Sequence, residues 1–302
     1  MIIGATGFIG RELIRELLAG GHVPVAVSRN AGKAKEIFGN EIPFVEWDGN
    51  SSHDLAGKLE GIDAIVNLAG ESIAGGIWTE NRKKLIRESR IRTGRILAEA
   101  IELSSQRISV FVQGSATGFY GADVDEVTDE TAPAGKGFLA ELTKEWEESV
   151  KPAAKLAGRM IFVRTGLVLG KNGGLLEKML LPFKFYSGTV LGSGLQQMPW
   201  IHIRDEVRAI RFLLENGNCS GSYNLTAPAP VMMKDFIRSL AKVTGKPAWM
   251  KIPAWALKAV LGEMAAETIL ASQYVYPGKL LQEGFRFEFE KLDNALIDLL
   301  KD

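Results

Sequence analysis

Cysteine and histidine are scarce in this chain, and neither sign of charge is in surplus. A single cysteine, Cys219, in 302 residues excludes an internal disulfide framework and a thiolate-rich metal site. His22 and His53 lie in turn-like stretches, and with His202 they show no ligand spacing, so no metal centre is expected. Lys+Arg and Asp+Glu stand at 36 each, which leaves no global field to attract nucleic acid or an anionic membrane. No run of 18 apolar residues and no basic-plus-apolar leader is found, so neither a membrane span nor export is expected. The cytoplasm is the expected compartment.

Glycine, by contrast, is plentiful, and three of the 33 glycines open the chain in order. Met1 to Ile3 read as a short strand, trimmed or lacking a residue or two at its start. Gly4, Gly7 and Gly10 follow at the spacing GxxGxxG. Gly4 lets the backbone turn off the strand, Gly7 lets a diphosphate approach the main chain, and Gly10 lets the next helix pack on the sheet. That helix starts near Phe8, with Ile9, Leu13, Ile14, Leu17 and Leu18 on one face, and ends at Gly20-Gly21. Val23 to Val27 supply a second strand and complete a β-α-β unit. The amino end of such a helix offers free N–H groups and partial positive charge to an anion.

Strand and helix signals alternate to about residue 170, the pattern of a parallel sheet covered on both faces. Strands are expected at Phe44–Trp47, Ile62–Leu68, Ile108–Val112 and Met160–Val163. Ser28–Asn40 reads as a polar stretch, and 116–137 as loop. Helices are expected from Thr79 to Ser104 and from Phe138 to Leu156. Beyond Gly170 the glycines and prolines shorten the elements. Trp200–Ile203 reads as a strand, Asp205–Glu215 as a helix capped by Asp205, Ser222–Leu225 as a strand returning to the main sheet, and Met233–Asp302 as mostly helical. The expected fold is α/β: a Rossmann-type doubly wound parallel sheet with a smaller, mainly helical C-terminal substrate lobe. The expected division is residues 1–170 with 204–227 as the nucleotide-binding domain, and 171–203 with 228–302 as the lobe.

Four stretches carry a family resemblance: Gly4-Ala-Thr-Gly-Phe-Ile-Gly10, Asn67-Leu-Ala-Gly70, Trp200-Ile-His-Ile-Arg-Asp205 and the tail Pro277 to Phe287. Together they resemble the extended short-chain dehydrogenase/reductases, in the atypical NAD(P)-dependent epimerase/dehydratase branch that ends in a small C-terminal module. The resemblance spans essentially the whole chain. It implies a nucleotide crevice above the carboxyl ends of the strands, and leaves the reaction open.

Cofactor choice can be argued from residues. An NAD enzyme places an acid at the end of the second strand, on the ribose 2′-OH. Ser28-Arg29 stand there instead, with Lys33 close behind. Read alone, Arg29 is a solvated loop charge. Beside the glycine turn it becomes a clamp for a 2′-phosphate, with Ser28 as a donor, so NADP(H) is the expected cofactor. Thr6, Phe8 and Ile9 join the glycines on the diphosphate, and Leu68, Ala69 and Gly70 line the cofactor's middle. The resemblance adds Arg90, in Glu88-Ser-Arg-Ile-Arg-Thr93, and Val168 near the nicotinamide.

The superfamily's usual chemistry needs a Ser or Thr and a Tyr-x-x-x-Lys pair, whose lysine lowers the tyrosine pKa for proton exchange. Ser115, in Gly114-Ser-Ala-Thr117, matches the serine. Phe138 and Leu142 occupy the places of the pair, and Lys144 has no tyrosine four residues before it. Tyr120 is the candidate substitute, with loop packing as its alternative, and Glu71 is another candidate acid/base. His202 is read as a structural histidine bonded to backbone. The expected activity is an NADP(H)-dependent oxidoreductase acting on a small carbonyl or alcohol. A nucleotide-sugar epimerase/dehydratase and a non-catalytic NADP(H)-binding regulator are the alternatives.

Overall fold

A computed structural model describes residues 1–39, 42–171 and 173–301, without the side chains of Ala31, Lys33 and Asp125. Lys33's expected place behind Arg29 therefore lies outside the described residues. The first half runs β1 (Ile2–Ile3), α1 (Phe8–Ala19), β2 (Ala26–Ser28), α2 (Ala31–Phe38), β3 (Phe44–Glu46), α3 (Ser52–Ala56), β4 (Ala64–Asn67) and α4 (Glu80–Leu103). Then come β5 (Val110–Ala116), β6 (Asp123–Thr128), α5 (Phe138–Ser149), β7 (Arg159–Thr165), β8 (Leu167–Gly170), α6 (Gly174–Lys184), β9 (Gly188–Leu191), β10 (Gln197–Met198) and β11 (Trp200–His202). The last third holds α7 (Ile203–Glu215), β12 (Gly221–Leu225), β13 (Val231–Met232), α8 (Met233–Thr244), β14 (Ala248–Ile252), α9 (Ala254–Leu261), β15 (Ser272–Val275), α10 (Gly278–Gln282) and α11 (Leu292–Leu300).

Seven strands form the central sheet in the order β3-β2-β1-β4-β5-β7-β12, and every pairing in it is parallel. This is the Rossmann-type doubly wound arrangement. The winding reverses beside β1, and the carboxyl ends of β1 and β4 part there to leave a crevice. Both sheet faces are covered, which is why the strands are apolar in runs rather than in alternation. Leu13, Ile14 and Leu17 of α1 meet Val207, Ile210 and Leu213 of α7 in one core, and Ile96, Leu97 and Ile101 of α4 join Val27, Trp47 and Leu55 in the other. A third core gathers Phe183, Trp200, Phe236 and Leu296 beneath the C-terminal elements.

Several expectations need correction. Ser28–Asn40 is not simply a polar stretch, because residues 31–38 form α2. Residues 116–137 are not all loop: Thr117–Tyr120 make a 3₁₀ turn, and β6 finds a parallel partner in β15, some 150 positions later, which local sequence does not announce. The helix expected to reach Leu156 stops at Ser149, and a 3₁₀ segment from Lys151 carries Pro152, which lacks the N–H needed to continue an α-helix. The tail is less helical than expected, since it also contributes β14 and β15. Asp205 does not cap α7. His202 does, its Nδ1 accepting from the Arg204 N–H at 3.0 Å.

Asp205 instead accepts from the Glu288 and Phe289 N–H groups at 2.9 and 2.8 Å, and the His202 ring stacks on Phe289 at 3.9 Å. Two motifs 80 residues apart thus hold each other, and the tail is pinned to the start of α7.

Candidate functional site

The crevice between β1 and β4 opens into a cleft of about 720 Å³. Its floor is the turn from β1 into α1. Gly4 adopts φ +85°, and a Cβ there would lie 2.8 Å from the Leu68 carbonyl carbon, so backbone from β4 passes directly against it. A Cβ on Gly10 would fall 2.4 Å from the Gly4 oxygen, which is how closely α1 sits on the turn. Gly7 caps α1 without a side-chain hydrogen bond, and no acid stands in the first turn. The helix end is therefore left to an outside anion.

Gly4, Thr6, Gly7, Ser28, Arg29, Leu68, Ala69 and Gly70 all line this cleft. The Ser28 hydroxyl donates to Asn30 O at 2.9 Å and accepts from Asn30 N at 3.1 Å, closing a turn that presents Arg29 outward. Arg29 is exposed and has no ion pair or hydrogen bond among the described residues. Unspent positive charge at the rim and a bare helix end at the floor fit a dinucleotide's phosphates.

Five other candidates stand off the cleft wall. The Phe8 ring packs against Gly170, Gly173 and Gly174, Ile9 packs on the core, and Gly10 is buried. All three belong to the first turn of α1, whose backbone N–H groups have no partner within the helix. Arg90 lies beneath Gly70, where a Cβ would come 2.9 Å from its guanidinium carbon. Its Nη1 donates to the carbonyls of Glu71 and Ile86 at 2.9 and 3.1 Å, and the group lies over the Trp146 ring at 4.9 Å. Burial lowers its pKa to about 10. Arg90 thus braces the turn after β4. Val168 is buried in β8, paired with Ile201.

Ser115 and Tyr120 are brought together, but neither lines the cleft. Both belong to a buried network at the carboxyl ends of β5, β7 and β12. The Ser115 hydroxyl donates to Glu147 Oε1 at 2.7 Å. Arg164 grips the same carboxylate through Nε at 2.9 Å and Nη2 at 3.1 Å. Arg164 Nη1 also donates to the Tyr120 oxygen at 3.0 Å, and Tyr120 donates to Asn224 Oδ1 at 2.7 Å. Burial raises the Tyr120 pKa, the opposite of what a neighbouring lysine does for the usual catalytic tyrosine. Phe138 and Leu142 lie in an apolar cluster with Trp78, Ile86 and Met264.

Some residues escaped the sequence reading. Trp47, Asp48, Gly49 and Asn50 follow β3 and line the cleft, as do Arg82, Leu85, Glu88, Ser89, Arg92 and Thr93 from α4. The first group was in principle legible, because the carboxyl end of β3 must lie beside that of β2. The second required knowing which face of α4 overlies the sheet. Glu71 also lines the cleft, its Oε1 accepting from Arg82 Nη2 at 3.0 Å.

Comparison with known proteins agrees with this geometry. The NAD dependent epimerase/dehydratase family matches residues 1–226, and a domain of unknown function, DUF1731, matches residues 252–299. The chain is 38% identical over 300 residues to the chloroplastic epimerase family protein SDR39U1 homolog of Arabidopsis thaliana, covering 98% of this chain and 84% of that protein. It is 35% identical to the epimerase family protein YfhF of Bacillus subtilis, covering 99% and 97%. The crystal structure of human epimerase family protein SDR39U1 (isoform2) with NADPH superposes with a TM-score of 0.90 at 32% identity, covering 100% of this chain and 98% of that one. Among the described residues, no helix is long and apolar enough to cross a membrane.

Proposed function

Because the chain belongs to the NAD dependent epimerase/dehydratase family, we propose that it binds NADP(H) in this cleft and acts as an oxidoreductase on a small carbonyl or alcohol. One observation carries the cofactor assignment: Arg29, exposed and without a partner among the described residues, stands on the cleft wall where an NAD enzyme needs an acid. The human relative crystallised with NADPH supports the same reading. When bound, the cofactor's nicotinamide would supply or accept a hydride. The chain's own part is to place it. The α1 amides and helix dipole hold the diphosphate. Arg29 pairs with the 2′-phosphate, and the backbone at Leu68 to Gly70 takes the middle of the cofactor, stiffened by Arg90. Ser115 would orient the substrate oxygen and Tyr120 would donate the proton on condition that the buried network around Glu147, Arg164 and Asn224 opens to admit the substrate, since neither side chain lines the cleft as it stands.

The test is turnover of NADPH against a panel of small aldehydes and ketones, followed by loss of the reduced-nicotinamide absorbance. Turnover that falls in Ser115→Ala and Tyr120→Phe supports the assignment; turnover unchanged in both removes the pair. A second reading, a non-catalytic NADP(H)-binding regulator, is favoured by the same network, which engages both hydroxyls in buried bonds. Tight NADPH binding with no turnover across the panel selects it. Mass identification of molecules released from the purified protein separates both from an epimerase, which would retain a sugar nucleotide.

A further inference from the structure

The α4 wall of the cleft holds a second uncommitted cation, in the Glu88–Thr93 stretch from which only Arg90 was assigned. Three cationic side chains, Arg29, Arg82 and Arg92, line the cleft against three acids, Asp48, Glu71 and Glu88. Most of these charges are already committed. Arg82 pairs with Glu71 at 3.0 Å, and Glu88 faces Lys84 at 3.8 Å. Asp48 accepts from the Asn50 N–H at 2.8 Å and from its Nδ2 at 3.0 Å. Arg29 and Arg92 remain, both exposed and neither with an ion pair or hydrogen bond among the described residues.

Helix geometry sets where Arg92 stands. β4 and β5 are parallel neighbours joined by α4, so α4 runs antiparallel to them and its amino end lies at the carboxyl ends of the strands. Ile96, one turn further on, packs in the same core as Val27 of β2 and Trp47 just after β3. Side chains four apart share a helix face and lean toward the amino end. Arg92 therefore sits one turn above the layer of Val27 and Trp47, over the ends of β2 and β3, where Arg29 and Asp48 begin their loops.

We propose that Arg92 reaches across from α4 to share the ribose 2′-phosphate with Arg29, so that two guanidinium groups on separate elements clamp one dianion. The assignment rests on the NADP(H) reading above and adds a specificity residue to it. Paired guanidinium groups suit a phosphate because each can offer two parallel N–H bonds to its oxygens.

The experiment titrates the full chain with NADPH, NADH, adenosine 2′,5′-bisphosphate and 5′-AMP, comparing wild type with Arg92→Ala, Arg92→Lys, Arg29→Ala and the double variant. Arg92→Ala is expected to weaken NADPH and the bisphosphate by about tenfold, the cost of one charge-assisted contact, and to leave NADH and 5′-AMP within about twofold. Arg92→Lys should recover part of the loss. An exposed arginine without partners should not alter the thermal midpoint, so loss of fold will not mimic loss of binding. Equal weakening of all four ligands overturns the proposal, as does no weakening of any, while wild-type preference and the effect of Arg29→Ala leave the NADP(H) reading standing. Wild type with no preference for the 2′-phosphorylated ligands overturns both.

Discussion

Glu147→Gln isolates the buried network at the ends of β5, β7 and β12. Glutamine keeps the volume, so packing is preserved and the change is electrostatic. In the wild type the two carboxylate oxygens accept three bonds, one from Ser115 and two from Arg164. The side chains of Arg164 and Glu147 are only 6% and 9% exposed. The variant leaves a buried guanidinium without its counter-charge and sets an amide N–H₂ where an acceptor stood. Breaking a buried pair this way costs about 3–5 kcal/mol. Arg164 keeps the Tyr120 oxygen at 3.0 Å and lies 3.5 Å over the Phe119 ring, which offsets part of the loss, so about 3 kcal/mol is expected. Ser115→Ala removes one hydroxyl but leaves the ion pair, and should cost about 1 kcal/mol. Replacing both Glu147 and Arg164 by Met should cost less than Glu147→Gln alone, since no charge is stranded. Urea unfolding followed by tryptophan fluorescence measures all three. A Glu147→Gln loss below about 1 kcal/mol, or one no larger than that of Ser115→Ala, would refute the reasoning.

Two further outcomes follow from single atoms. Gly10→Ala would put a Cβ 2.4 Å from the Gly4 oxygen and 2.8 Å from the Ala5 Cα, so α1 must lift from the turn. The expected cost is about 2 kcal/mol or more, with loss of NADPH binding, and an unchanged thermal midpoint with unchanged affinity would contradict it. Glu206 is fully buried; its Oε1 accepts from Thr165 at 2.8 Å, and among the described residues its Oε2 has no partner. Burial pushes its pKa from 4.5 up to about 8. Between those values the folded chain keeps a proton that the unfolded chain releases, so this group costs stability as pH rises across that window. Glu206→Gln should therefore gain on the wild type by a few kcal/mol between pH 5 and pH 8, at up to about 1.4 kcal/mol per pH unit. Urea midpoints at several pH values measure the difference, and a flat difference contradicts the assignment.

Local sequence carried the first β-α-β unit well because its signals are short-range: a glycine at positive φ, an apolar helical face, a strand of small and branched residues. The same holds for the turn after β2, where Ser28 and Arg29 act within two residues of each other. What escaped depends on pairings distant in the chain. β6 needs β15, and the Asp205 carboxylate serves amides 83 and 84 positions away. Expecting a cap there was reasonable for an acid at a helix start, but His202 had already taken that bond. Arg92 stood unassigned in the Glu88–Thr93 stretch until the face of α4 toward the cleft was known. Ser115 and Tyr120 were found as residues, yet their bonds to Glu147, Arg164 and Asn224 bring in three partners no local pattern links.

The central claim is that the rim of the β1–β4 crevice holds a 2′-phosphate. Calorimetric titration of the purified chain with NADPH and with NADH at one ionic strength tests it most directly. The expected result is NADPH bound at least tenfold tighter, about 1.4 kcal/mol or more, with the gap narrowing as salt rises. Equal affinities at low salt, or tighter binding of NADH, would contradict it.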